Sequence, residues 1–215
     1  MTAGRRGLAP SLGPEAVARD RKARPEARPL RLFVAVDIPG LARRELARRI
    51  EPLRAELPNA RWVTHENWHV TLKFLGSVYP RLRQWVGTRV RAAAESHEPF
   101  STRITELGAF PSPRRARVLW AGLDDSEGRF SSLAAELDRL LEPEFEPDER
   151  VFTAHLTVAR FREQASLPAD LLLTDVAGEP FSVDALTLYR SHLQRPAARY
   201  EALERIRLES PARGA

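Results

Sequence analysis

Asn67-Trp68-His69-Val70-Thr71-Leu72-Lys73-Phe74-Leu75-Gly76 alternates in character along its length. Trp68, Val70, Leu72 and Phe74 are apolar, and His69, Thr71 and Lys73 between them are polar. Successive side chains of a β-strand point to opposite faces, so this period of two predicts a half-buried strand. One face enters a core, and the other presents an imidazole, a hydroxyl and an ammonium. The pattern returns 86 positions later in Phe152-Thr153-Ala154-His155-Leu156-Thr157-Val158-Ala159-Arg160. There Phe152, Ala154, Leu156 and Val158 form the apolar face, and Thr153, His155 and Thr157 the polar one. A single His-x-Thr is a weak signal, because a lone strand histidine is more often structural than catalytic. Two copies, each with its histidine on the polar face, predict two halves that meet at one cleft.

A chain of 215 residues that is 43% apolar can bury a real core, as one large domain or two small lobes. It has no cysteine, which excludes disulfides, thiolate metal sites and cysteine nucleophiles. No apolar run approaches the roughly 20 residues that span a bilayer. The first residues include arginines but lack the apolar segment of about 7–15 residues of a secretory signal. A cytoplasmic protein without a membrane partner is expected. The net charge of +5 is unevenly placed. Residues 1–29 hold seven basic and three acidic side chains, so residues 30–215 carry only +1. Attraction for a phosphate backbone must therefore come from a local patch or from the leading segment.

Residues 1–29, rich in Ala, Arg and Pro, have no apolar periodicity and read as a disordered tail. Order is expected from Leu30. Leu32 to Val36 reads as a central strand, and a helix comes next over about Leu41–Leu57. Arg61 to Thr64 is a short strand, and the motif strand ends at Gly76. A second helix runs from about Pro80 to His97, with Leu82, Trp85, Val86, Val90 and Ala93 inward. Pro99–Phe110 and Arg117–Gly122 are strands around a loop at Pro111–Arg115. A third helix spans about Glu127–Leu141, and an acidic, proline-containing loop leads to the second motif. A weak helix near Pro168–Leu173 and strands over Phe181–Tyr189 and Arg199–Leu208 complete the domain, 30–208. Residues 209–215 read as a loose tail. The fold class is α+β, with two pseudo-symmetric lobes, each an antiparallel-rich sheet backed by helices.

On a strand, residues i and i+2 share a face about 6–7 Å apart, so a histidine and a threonine so spaced can reach one small anion. The ordinary histidine pKa of about 6.5 allows one imidazole of a pair to be neutral and the other protonated. Such a pair can serve as base and acid on opposite sides of a phosphorus atom. Threonine hydroxyls can bond the non-bridging oxygens that gain charge in the transition state. No metal is required, and the motifs lack the converging ligands of a zinc or two-metal centre. Gly-x-Ser-x-Gly, the P-loop and Gly-x-Gly-x-x-Gly are all absent.

His69 to Gly76 and His155 to Arg160 resemble the paired signatures of the two-histidine phosphoesterases, in particular the RNA 2′,3′-cyclic phosphodiesterases (LigT-like, formerly called 2′-5′ RNA ligases). Arg31–Asp37, Arg117–Trp120 and Leu188–Leu193 with Tyr200 resemble further strands of that family, so the likeness covers about Leu30 to Leu208. Ala154 departs from the pattern, which often has proline there. The resemblance implies metal-free, cofactor-free hydrolysis of an RNA-terminal 2′,3′-cyclic phosphate to a 2′-phosphomonoester. It implies His69 as proton donor and His155 as proton acceptor, roles that the sequence alone cannot assign. Thr71 and Thr157 carry over as phosphate contacts. Arg160 is a further candidate, although strand parity puts it on the apolar side unless the strand has ended. Lys73 has the parity of the polar face. The implied partners are RNA 3′ ends or tRNA fragments carrying the cyclic phosphate, met by a monomer. Reversible 2′-5′ ligation, a small cyclic-nucleotide phosphodiesterase and a non-catalytic RNA-binding module are the alternatives. Arg114, Arg115 and Arg117 lie in and beside a loop that could meet RNA. His65, His97 and His192 read as structural, and the four tryptophans as core unless one stands at the cleft rim to stack a base.

Overall fold

The computed structural model describes residues 28–194 and 198–209. Of the leading segment only Arg28 and Pro29 are described, exposed and without regular structure; the tail expected over 1–29 otherwise lies outside the described residues. The elements in order are β1 (Leu30–Asp37), α1 (Gly40–Ile50), α2 (Leu53–Glu56), β2 (Ala60–Trp62), β3 (His69–Val78), α3 (Arg83–Glu95), β4 (Phe100–Thr102), β5 (Ile104–Phe110), β6 (Ala116–Leu123), α4 (Arg129–Leu141), β7 (His155–Ala165), β8 (Phe181–Val183), β9 (Ala185–His192) and β10 (Arg199–Arg207). Single 3₁₀ turns at His65–Asn67, Pro80–Leu82, Pro113–Arg115 and Leu171–Leu173 join some of them.

One sheet runs β10-β9-β1-β3-β7-β6-β5, with β2 also pairing β7, and β4 and β8 form a separate ribbon. Every pairing is antiparallel. At its centre β3 and β7 share one residue pair, Val70 with Leu156, so the sheet divides there into two four-stranded wings. Each wing contributes one His-x-Thr strand, as expected of two lobes. The wings are interleaved rather than sequential. β10, β9, β1 and β3 come from the two ends of the described chain, while β5, β6 and β7 come from its middle and β2 from between β1 and β3.

The helices hold one side of this sheet through periodic apolar faces. Val86, Val90 and Ala93 of α3 and Phe130, Leu133, Leu137 and Leu141 of α4 are wholly buried. Burying each of the larger side chains contributes about 1.5–3 kcal/mol. α3 packs on β9 and β10, and α4 packs on β3 and on α3. The helix expected over Leu41–Leu57 breaks in two, because Pro52 has no N–H to give and its ring crowds the preceding turn. The strand expected over Pro99–Phe110 divides into β4 and β5, and that over Phe181–Tyr189 into β8 and β9, the first part of each forming the ribbon. Gly76 does not end β3. It takes φ +66° at a register shift, a conformation glycine adopts freely, and the strand continues to Val78. Of the tail expected from 209, Glu209 is tied by its amide to the Ala94 carbonyl, 3.1 Å, and the rest lies outside the described residues.

Candidate active site

β3 and β7 begin at the two motif histidines. Extending the Val70–Leu156 register by one residue each way sets His69 across from Thr157, and Thr71 across from His155. All four lie on the face opposite Val70 and Leu156, which are 0% exposed, and all four are half-buried. The two strands thus cross their motifs, each histidine beside the other strand's threonine. Among the described residues, neither threonine hydroxyl has a protein hydrogen-bond partner.

Both motif strands then bulge at the same place. Ala35 pairs Thr71 and Val34 pairs Lys73, so β3 carries an extra residue between them. Trp120 pairs Thr157 and Leu119 pairs Ala159, so β7 does the same. A bulge leaves an unpaired residue and flips the parity of every later residue on the strand. Arg160, five positions after His155, therefore returns to the site face, exposed and, among the described residues, with no carboxylate within ion-pair distance. Phe74, five positions after His69, does likewise and is 65% exposed, rather than buried as strict alternation predicts. Lys73 is the reverse case. It points into the helix-covered side, 6% exposed, where its ammonium pairs with Asp138 of α4 and donates to the Glu146 carbonyl at 2.7 Å. The expected place of Lys73 on the polar face is thus corrected by the bulge. Its role is to fasten the loop before β7 to the back of β3.

The two histidines are held alike. The Nδ1 of His69 lies 2.8 Å from the Asn67 carbonyl, and that of His155 lies 2.7 Å from the Thr153 carbonyl. A carbonyl only accepts, so Nδ1–H donates in each ring and Nε2 is left to give or take a proton. Burial pushes both imidazoles below the ordinary histidine value, the carbonyl bonds oppose this, and the Arg160 guanidinium lowers both further. The pair differs in its remaining charges. Asp37 stands directly across from His69 on β1 and raises its affinity for a proton, whereas β6 sets Gly122 across from His155. Arg150, on the loop before β7, lowers His155 again. The Asp37 carboxylate is fixed by the Thr187 hydroxyl at 2.8 Å and the Tyr189 hydroxyl at 2.5 Å.

Aromatic rings wall both sides. Phe33 lies 4.9 Å from the His69 ring, and Tyr200 meets that ring edge-on at 5.1 Å. Phe110 meets His155 edge-on at 5.0 Å, with Trp120 at 6.1 Å. Trp120 is the cleft tryptophan. Its ring lies over Gly108, where a Cβ would come within 2.1 Å of it, so the site face needs glycine there. Trp68 is core, 3% exposed. Ala154, buried before His155, accepts at its carbonyl from the Leu123 amide at 2.9 Å.

The other histidines are structural. His65 pairs with Glu66 and His192 with Glu201, while His97 bonds the Ala93 carbonyl and the Ser132 hydroxyl. Arg117 donates to the Arg162 carbonyl at 2.6 Å, and Arg114 and Arg115 are exposed on the adjoining turn. Among the described residues no group of three or more His, Asp or Glu side chains converges to hold a metal, and no helix is long and apolar enough to cross a membrane.

A family model described as LigT like phosphoesterase matches residues 36–120 and 123–200. Curated relatives include an RNA 2′,3′-cyclic phosphodiesterase of Methanothermobacter thermautotrophicus, 33% identical over 83% of this chain and 99% of that protein. Another, of Aeropyrum pernix, is 33% identical over 70% of this chain and 88% of that protein. Among solved structures, a Thermus thermophilus protein superposes with TM-score 0.70 at 27% identity, covering 84% of this chain and 99% of that one. Escherichia coli LigT complexed with 3′-AMP does so with TM-score 0.66 at 26% identity, covering 84% and 98%.

Proposed function

Because this chain belongs to the LigT-like phosphoesterase family, and two matched histidines flank two unengaged threonine hydroxyls at the centre of its sheet, we propose that it opens RNA-terminal 2′,3′-cyclic phosphates to 2′-phosphomonoesters by histidine acid–base catalysis. The single observation that carries the chemistry is the crossed His–Thr quartet with both Nε2 atoms free to exchange protons. His155 Nε2 takes a proton from water as its oxygen attacks phosphorus. The bond from phosphorus to the 3′ oxygen breaks, and His69 Nε2–H protonates that oxygen. The product keeps the phosphate on the 2′ oxygen and gains a free 3′ hydroxyl. Thr71, Thr157 and Arg160 hold the non-bridging oxygens as their charge grows. All five groups come from one chain, which supports a monomer as the acting unit, and the reading takes RNA 3′ ends or tRNA fragments in the cytoplasm as its substrates.

Asp37 supports this division of labour. A carboxylate across from one of two otherwise equivalent imidazoles favours its charged form, so His69 is the proton donor and His155, beside Arg150, the neutral acceptor. Asp37→Asn removes the influence that raises His69, so His69 loses its proton at lower pH. The alkaline limb of the rate profile then moves to lower pH, with a several-fold loss above neutrality and little change on the acid limb. A pH titration of kcat/KM measures this, and movement of the acid limb instead would make His69 the base.

The function itself is tested by incubating the protein with 2′,3′-cyclic-phosphate-ended RNA in EDTA. A 2′-phosphomonoester product is expected at an undiminished rate. Loss of turnover on chelation, restored by a divalent metal, would sink the metal-free mechanism. With the 5′-hydroxyl of a second RNA in place of water, the same step joins the ends through a 2′-5′ linkage: His155 takes the hydroxyl proton, the bond from phosphorus to the 3′ oxygen breaks and His69 protonates that oxygen, a product the same assay detects when 5′-hydroxyl RNA is added.

A further inference from the structure

We propose that Arg61 and Arg162 extend the Arg160 contact into a phosphate track that holds the body of the RNA behind its reacting end; the proposal rests on the RNA reading above. The track comes from the register. β2 pairs β7 with Arg61 directly across from Arg160, and directly opposed residues share a face. Ala60 and Trp62 pack against the core together with Phe161 and Ala159, which sends Arg61 and Arg160 to the side of the histidines. Arg162 lies two residues after Arg160, on the same face and about 7 Å further along β7. The three guanidiniums thus start at the catalytic phosphate and lead away from it towards the exposed Arg114–Arg115 turn.

Arg49, Arg54, Arg91, Arg129, Arg139 and Arg205 each hold a carboxylate. Among the described residues Arg61, Arg160 and Arg162 have no ion-pair partner, and all three are exposed. Other exposed arginines, such as Arg31, Arg44 and Arg48, also lack a counter-charge among the described residues, and what sets these three apart is that they share the site face. With residues 30–215 carrying only +1, this is a local field in a nearly neutral body. An unpaired row of rigid, bidentate donors suits a row of phosphates, which a single strand of RNA supplies and a cyclic mononucleotide does not.

The test is the double variant Arg61→Gln, Arg162→Gln, read in two assays. The first is fluorescence-anisotropy binding of an end-labelled oligoribonucleotide of about ten residues carrying a 2′-phosphate, across a salt series. The second is turnover of a 2′,3′-cyclic mononucleotide. Binding is expected to weaken about five- to tenfold at low salt. The log–log salt slope should shrink by about 1.4, from two lost contacts at about 0.7 each. Mononucleotide turnover should stay unchanged, which also shows that the variant is folded. Unchanged binding and slope, or an equal loss on the mononucleotide, would overturn the track. A wild-type protein that binds the oligomer in this salt-dependent, arginine-dependent way but hydrolyses no cyclic end would refute the function and leave the track standing. One that turns over the mononucleotide but binds the oligomer no better would do the opposite.

Discussion

His69→Ala and His155→Ala should each fold and each lose about 10²–10⁴-fold in kcat/KM on a cyclic mononucleotide, the range of one proton transfer. Folding should survive because both rings are half-buried at strand starts and each makes one bond, to a carbonyl two residues back. The wild-type profile should be bell-shaped, with limbs that belong to the pair rather than to either ring, since the charge on His155 lowers the proton affinity of His69. Both limbs should sit below those of free histidine, because burial lowers both groups. The roles separate with a substrate whose leaving group departs without a proton, such as an aryl phosphodiester. It should rescue His69→Ala, whose missing acid is no longer needed, and leave His155→Ala inactive. Rescue of the opposite variant would reverse the roles, and full activity of either on the natural substrate would remove that histidine from the chemistry.

The alternation around His69 and His155 made both motif strands, both histidines and both threonines legible, because a period of two survives whatever the partner strands are. What it could not contain is the bulge. One extra residue after each threonine is a property of pairing with β1 and with β6, and it exchanges the faces of Lys73 and Phe74 and returns Arg160 to the cleft. The trace left in the sequence is slight: Leu72-Lys73 and Val158-Ala159 are neighbours that both go inward. Asp37 was hidden for the same reason. It reads as the end of a strand, and only the register of β1 on β3 places it beside His69. The interleaving of the wings is equally invisible, since local pattern shows which segments are strands and not which strand each one meets. Arg61 illustrates the point on the proposed track, a residue in a three-residue strand whose meaning comes wholly from standing across from Arg160.

Arg160→Gln should cost about 10²–10³-fold in kcat/KM, the range of removing one preorganised donor from a developing anion, and it should also move the pH profile. The two effects have one origin. The guanidinium lies unpaired on the site face, near enough to lower the proton affinity of both histidines. Without it each imidazole holds its proton to higher pH. The base limb and the acid limb then both shift upward, opposite to the single-limb downward shift expected for Asp37→Asn. Arg160→Lys separates charge from geometry. It should keep the limbs near their wild-type positions while losing rate, because an ammonium supplies the field but not the planar fork that grips two phosphate oxygens. A rate loss below about tenfold with unmoved limbs in Arg160→Gln would place this guanidinium outside the reacting phosphate's reach, and would leave Thr71 and Thr157 as the groups that hold it.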